Sequence, residues 1–241
     1  MKIVNSDLGV QSWSFRGIGG NEAIVEALKE LGLSTLEVAG IHTNLDNCED
    51  VLKLYTDNGI ALSALGVEGI KNDEAQARKA FDLARGLGVK VLSIDPDPDA
   101  IELIEKLSAE YGIKTAIHNH GREHRYGNIE QLKAIFDVST PNIGLYLDAA
   151  WAMDSGTDPR DYISAFGDRL YGVHLKDFVL HAGEEPEEVI IGTGDLPLSE
   201  ILNVLKAMNY QGVLSIEYEE KEENPVSDIA ECIKNISAVA P

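Results

Sequence analysis

The sequence predicts an α/β protein built as one (β/α)8 barrel, a single domain over residues 1–241. Three observations lead there. Short apolar, β-branched runs alternate with segments of helical period along all 241 residues. Eight strand–helix pairs in that length give roughly 30 residues per unit, and one barrel commonly takes about 250 residues. Four consecutive runs in the second half, TAIHNH, GLYLDAA, YGVHLKD and LSIEYE, each end in a histidine or a carboxylate. Polar groups at many strand ends suit a closed barrel, whose strand ends share one mouth. An open doubly wound sheet would gather them at one switch point instead.

The strands are expected near residues 7–13, 35–39, 60–67, 90–95, 113–119, 142–148, 169–175 and 212–218. Most are apolar on both sides, as parallel strands covered by helices should be. Between them, Glu22 to Leu31 carries Ala23, Ala27, Leu28 and Leu31 at helical spacing, and Asn72 to Leu87 carries Ala77, Ala80, Phe81 and Ala84. Glu200 to Met208 shows Ile201, Leu202, Val204 and Leu205, and a last helix is expected over 226–238. Gly32, Gly59, Gly88 and Gly112 stand where helices hand over to strands, a place for the left-handed backbone that glycine adopts cheaply. Asp46, Asn72, Asn128 and Asp158 precede apolar helical patterns and are expected as N-caps. Residues 178–197, FVLHAGEEPEEVIIGTGDLP, break the repeat with a long acidic loop after the seventh strand. Such loops serve as lids or binding loops, or are plain surface insertions.

The net charge is −21, from 41 acidic and 20 basic residues. That surface repels phosphate backbones and anionic membranes, so no nucleic-acid partner and no membrane partner are expected. Cys48 and Cys232 form no zinc or redox motif and are expected as free thiols. No signal peptide and no stretch of roughly 18 apolar residues is seen, which makes a cytoplasmic location the expectation.

The strand ends carry the chemistry. His118, Asp148, His174 and Glu217 come last in four successive apolar runs, and burying such groups requires partners. One divalent metal would satisfy all four, and two imidazoles with two carboxylates suit Mn, Zn, Co or Fe(II) better than Ca or Mg. His118 and His120 face the same way by the period-two rule, so the sequence does not choose between them as ligand. Glu37, Glu68 and Asp95 end strands two to four. Gln11, Trp13, Phe15 and Arg16 follow strand one, and Trp151 follows Asp148. Tryptophans beside a metal would suit the apolar face of a sugar ring, so Gln11, Trp13, Arg16 and Trp151 are the substrate-binding candidates. Arg122, His124 and Arg125, after strand five, are either substrate groups or a solvated loop.

Across its whole length the chain resembles the sugar phosphate isomerase/epimerase superfamily, the xylose-isomerase-like TIM barrels. GVQSWSFR, LGLSTLEVAG, IHNHG, YLDAAW, GVHLKDF, IGTGDLPLSEIL and GVLSIEYE carry the likeness in order and spacing. The resemblance implies a metal held by Glu, Asp, His and Glu at the ends of strands five to eight. Asp148, His174 and Glu217 match the last three; His118 stands where many epimerases have glutamate, and Trp151 where a histidine is often found. In family epimerases two metal-bound glutamates are thought to move the proton on opposite faces of the substrate, and here only Glu217 remains. Dehydratases and lyases of the family, such as inosose dehydratase-like proteins, have a histidine-rich fifth strand. Endonuclease IV shares the fold class, but it needs several metals, many ligands and DNA contacts, and six histidines with a net charge of −21 argue against it.

The reading is a divalent-metal-dependent sugar isomerase or epimerase that abstracts a proton beside a carbonyl of a keto-sugar. A dehydratase or lyase on the same site is the first alternative, and a non-catalytic sugar-binding barrel the second. Glu217, His120, Lys176 and Glu37 are the catalytic candidates, and Asp177 is expected to orient His174 or Lys176. The partner is a small carbohydrate. The family's dimers and tetramers make a homo-oligomer a further expectation.

Overall fold

The computed structural model describes residues 1–241. Eight parallel strands form the barrel: β1 (Ser6–Gln11), β2 (Thr35–Val38), β3 (Ala61–Ile70), β4 (Val91–Pro96), β5 (Lys114–His118), β6 (Ile143–Asp148), β7 (Leu170–Leu175) and β8 (Val213–Ile216). Each pairs with the next, and β8 pairs with β1 through Leu214–Leu8, Ser215–Gly9 and Ile216–Val10, so the sheet has no open edge. Lys2–Ile3 folds back antiparallel on β1.

Nine helices cover the barrel: α1 (Asn21–Leu31), α2 (Cys48–Asp57), α3 (Glu74–Gly86), α4 (Ile101–Tyr111), α5 (Ile129–Phe136), α6 (Ala149–Asp154), α7 (Pro159–Phe166), α8 (Leu198–Ala207) and α9 (Val226–Val239). No helix is long and apolar enough to cross a membrane. The stripe of α1 is rotated from the expected one: Ile24, Val25, Ala27 and Leu28 are buried, while Ala23 and Leu31 are half-covered. The larger Ile24 and Val25 win the core-facing side because they remove more apolar area from water. On α3 the expected Ala77, Ala80, Phe81 and Ala84 are all buried.

Two caps stand as expected and two move by one residue. Asn128 and Gln131 form a reciprocal capping box on α5, and Asp158 accepts from the Arg160 amide with Pro159 at the first turn of α7. Helix α3 is capped by Asp73, not Asn72, through the amides of Ala75 and Gln76 at 2.9 and 3.0 Å. Helix α2 begins after Asn47, not Asp46. The four handover glycines all have φ between 65° and 71°.

Strand β1 stops at Gln11, and Ser12–Phe15 turn into a 3-10 helix rather than continuing the strand to 13. The long loop after β7 is partly ordered as a hairpin, with Asp177–Val179 paired to Glu187–Val189.

The barrel interior is built from small residues around one large one. Tyr146 packs against Ala64 and Ala116, with Ser93 and Ser215 also buried. A Cβ on Gly172 would overlap the Tyr146 ring. The glycine therefore makes room for a tyrosine that points its hydroxyl up the barrel toward the mouth.

Candidate metal centre and substrate pocket

Strand register assembles the floor of the mouth. Gln11 is paired with Glu37 across β1 and β2, Asp148 with His174 across β6 and β7, and His118 with Tyr146 across β5 and β6. His118, Asp148, His174 and Glu217 come together here, each buried, with one candidate ligand atom apiece all within 4.8 Å of one another. The Nε2 of His118 lies 3.1 Å from Nδ1 of His174, which lies 3.4 Å from a Glu217 oxygen; His118 Nε2 and Asp148 Oδ2 are 3.9 Å apart.

Glu37 sits beneath this group. Its carboxylate accepts from Gln11 Nε2 at 2.8 Å, from Tyr146 through a short contact, and meets His174 Nε2 at 2.8 Å. With its hydrogen-bonding capacity largely taken and no solvent exposure, Glu37 is placed to support His174 from beneath the pocket. The proton on His174 Nε2 is held by Glu37, so Nδ1 is the nitrogen turned toward the other three groups. The sequence did not single out Tyr146. Its signal was its position two residues before Asp148, on the same face of the strand.

Asp148 is fixed twice. Its Oδ1 accepts from the Trp151 amide at 2.9 Å as the N-cap of α6, and its backbone exchanges two hydrogen bonds with the side chain of Asn119. Its Oδ2 has no hydrogen-bond partner, nor has Nδ1 of His118. An unsatisfied buried polar atom costs about 1–3 kcal/mol. A divalent cation among these four groups would give Asp148 the partner it lacks, and the mixed imidazole–carboxylate set is right for one. Burial pushes Asp148 up to about 7, against the pull of the Lys176 charge. Burial and the neighbouring imidazoles hold His118 well below the usual histidine range. Burial opposes charge on His174 too, but Glu37 and Glu217 outweigh it and raise its pKa. Glu217 is lowered: burial works against ionisation, and Lys176 and His174 more than compensate.

His120 stays outside this group. The strand ends at His118, the Asn119 side chain turns inward to Asp148, and His120 lies at the pocket wall, its ring 4.7 Å from that of His118. It forms a second cluster with Asp95 and His124. There the Tyr126 amide donates to His124 Nδ1. A neutral His124 then keeps its proton on Nε2, 3.5 Å from Asp95, with the His120 ring packed edge-on against it. Burial lowers His120 to about 4, so its imidazole is neutral near pH 7.

Lys176 is buried and held by three carboxylates, in direct contact with Glu219 and at 3.5 and 3.6 Å from Glu188 and Glu217. Burial disfavours its charge, but Glu217 and the other carboxylates outweigh it and keep its pKa raised, so the ammonium holds its proton. Glu188 comes from the hairpin after β7 and was not foreseen. It ties that loop to the site by accepting from the Glu219 amide at 2.8 Å.

Asp177 has a different job from the one expected. Its carboxylate accepts from the amides of Gly192, Gly194 and Leu196 at 2.8–3.0 Å and so shapes the loop, without touching His174 or Lys176. Arg16 is also displaced. It reaches the Glu219 carbonyl and pairs with Glu222 at 2.9 Å, and it does not line the pocket. Arg122 chelates Asp154 and reaches the Glu184 carbonyl, pinning the β5 loop to α6 and to the hairpin.

Above the four groups opens a cavity of about 550 Å³, into which His118, Glu217, His120, Gln11, Trp13 and Trp151 face. Trp13 is held at its rim by a 2.9 Å hydrogen bond from its indole to Glu219. Trp151 stacks edge-on against Phe178 with centroids 4.8 Å apart.

The family model described as "Xylose isomerase-like TIM barrel" matches residues 25–236. An inosose dehydratase of Lactiplantibacillus plantarum is 24% identical over 239 residues, covering 89% of this chain and 80% of the relative. An uncharacterized protein of Methanocaldococcus jannaschii is 27% identical over 130 residues, or 52% of this chain; the match spans less than half of that relative, 43%. Among solved structures, the IolI protein with a bound zinc atom superimposes with a TM-score of 0.80 at 17% identity, covering 98% of this chain and 99% of that one.

Proposed function

The chain belongs to the xylose isomerase-like TIM barrel family, and from that premise we propose that it is a metal-dependent enzyme that removes a proton beside the carbonyl of a keto-sugar and eliminates water. The observation that carries the reading is the unpartnered Asp148 oxygen among His118, His174 and Glu217, on the floor of a cavity walled by His120. The zinc-bearing structural relative and the inosose dehydratases support it.

His118, Asp148, His174 and Glu217 would hold the metal. When bound, it supplies Lewis-acid polarisation of the carbonyl, which acidifies the neighbouring C–H. The chain's own residues do the rest. Glu37 keeps the proton of His174 on Nε2, and Lys176 holds Glu217 in its ionised form. His120 enters neutral, takes the proton from carbon, and as imidazolium returns it to the departing β-hydroxyl. One C–H and one C–O bond break, a C=C bond forms, and water leaves. With His118 where a second glutamate would stand, the two-carboxylate exchange of an epimerase has no second member, which favours elimination. Trp13 and Trp151 offer apolar faces to the sugar ring, and closure around it would keep bulk water from the reacting carbon.

The test is to incubate metal-loaded protein with inosose and ketohexose substrates in deuterated buffer. Appearance of the ultraviolet-absorbing enone, lost in His120→Ala, is the expected result. Deuterated epimer or isomer with no enone would convert the reading to isomerisation. Binding with neither product nor exchange would leave a sugar-binding barrel.

A further inference from the structure

The cavity is acidic on one side and carries no lysine or arginine in its wall. Each cation near it is spoken for: Lys176 by Glu217, Glu188 and Glu219, Arg16 by Glu222, Arg125 by Asp95, and Arg122 by Asp154. Away from the metal candidate group, a phosphate ester would therefore meet carboxylates and no free lysine or arginine. Phosphate sites are instead built from arginine, lysine or helix N-termini turned toward the ligand.

One carboxylate in the wall is itself without a partner. Glu68 follows the bulged part of β3, is half-buried, and lines the cavity, yet makes no hydrogen bond or ion pair with any protein side chain. It packs so closely on Gly40 that a Cβ there would collide with its Oε1. The glycine thus leaves the carboxylate its place beside the opening. A half-buried carboxylate without a protein donor takes its hydrogen bonds from whatever fills the cavity, and sugar hydroxyls are such donors. Trp13, Ile41 and Trp151 line the same cavity.

We propose that the pocket selects an uncharged polyhydroxylated substrate over its phosphate ester, and that Glu68 is a specificity-determining residue, accepting hydrogen bonds from substrate hydroxyls. The inference rests on the sugar-site reading above and narrows its substrate class.

Both tryptophans of the chain, Trp13 and Trp151, line this cavity, so intrinsic fluorescence reports its occupancy. The experiment titrates manganese-loaded protein with matched pairs: D-fructose and its 6-phosphate, D-tagatose and its 6-phosphate, D-xylulose and its 5-phosphate, with a neutral inosose alongside. Neutral members are expected to bind at least tenfold more tightly than their esters. In Glu68→Gln, which keeps the side chain's shape against Gly40, the preference should fall by at least tenfold at unchanged melting temperature, since no hydrogen bond or ion pair with the protein is lost. Glu68→Ala controls for size and should behave alike. Equal or tighter binding of the esters, binding of neither class, or an unchanged preference in both variants would each overturn the proposal. A neutral sugar that binds without reacting leaves the substrate class standing and removes the reaction. A phosphate ester that is turned over does the reverse.

Discussion

Glu37 and His174 lie 137 positions apart in the chain, on β2 and β7, and meet at 2.8 Å across the barrel. Neither is exposed to solvent. The contact decides which nitrogen of His174 faces the mouth, and it ties the metal candidate group to Gln11 and Tyr146 beneath.

Glu37→Gln should weaken metal binding by roughly 10–100-fold, the usual effect of losing a residue that orients a ligand histidine. Glu37→Ala should also destabilise the fold by about 3–5 kcal/mol, because buried His174 loses one of its two carboxylates and Tyr146 loses its acceptor. Competition titration with a chromogenic chelator and thermal denaturation read the two effects separately. Tight metal binding in both variants would show that His174 is oriented by something else.

Metal affinity should rise with pH through the neutral range. Asp148, held up at about 7, and His174, raised by its carboxylates, must both give up a proton to a cation. Lowering the pH from 8 to 6 should therefore weaken binding by more than tenfold. Isothermal titration in two buffers of different ionisation enthalpy would count the protons released. A release of zero would contradict the picture.

The metal-free protein should show an unusual stability profile. A folded-state pKa raised from 3.8 to about 7 means that Asp148 favours the folded state when protonated. That contribution is full below pH about 4 and is lost as pH rises through about 7. Asp148→Asn should consequently melt higher than the metal-free parent at pH 8 and close to it at pH 4, while losing metal binding. A lower melting temperature at pH 8 would mean that the ionised carboxylate is compensated without metal.

Gly172→Ala should cost about 1–3 kcal/mol, the usual penalty of overpacking, because the new methyl overlaps the Tyr146 ring. The shift should pull the Tyr146 hydroxyl from Glu37 and weaken metal binding as well. Pairing it with Tyr146→Phe in a double-mutant cycle distinguishes a lost hydroxyl contact from a displaced ring.

His120→Ala and His118→Ala should separate cleanly. The first should abolish turnover and keep the metal, since His120 lies outside the four-group cluster; the second should lose the metal. Metal content by atomic absorption, measured beside activity, checks both. Loss of metal in His120→Ala would exchange their roles.

Much of the barrel could be read directly from the chain. Apolar runs at regular intervals, glycines at helix exits and polar groups at run ends are local patterns, and each is imposed by backbone geometry within a few residues. For the same reason Asp148, His174 and Glu217 could be picked out singly. The period-two rule stopped at His118, because the strand stops there, and so the sequence treated His120 as its equal. Burial separates them: Asn119 turns inward and takes the place that a continued strand would have given its neighbour.

The sequence by itself determined the order of strands and helices, the residues that cap and end them, and the set of side chains able to bind a metal. Tertiary structure alone decided how those side chains are used. Glu37 became a support because Gln11, Tyr146 and His174 converge on it; Lys176 was tied up by Glu188, Glu217 and Glu219; Asp177 went to the amides of a loop; Glu68 was left free in the cavity wall. The reason is physical. A carboxylate's role depends on which donors surround it and how much water reaches it, and those donors come from strands and loops far away in sequence, brought together only when the barrel closes.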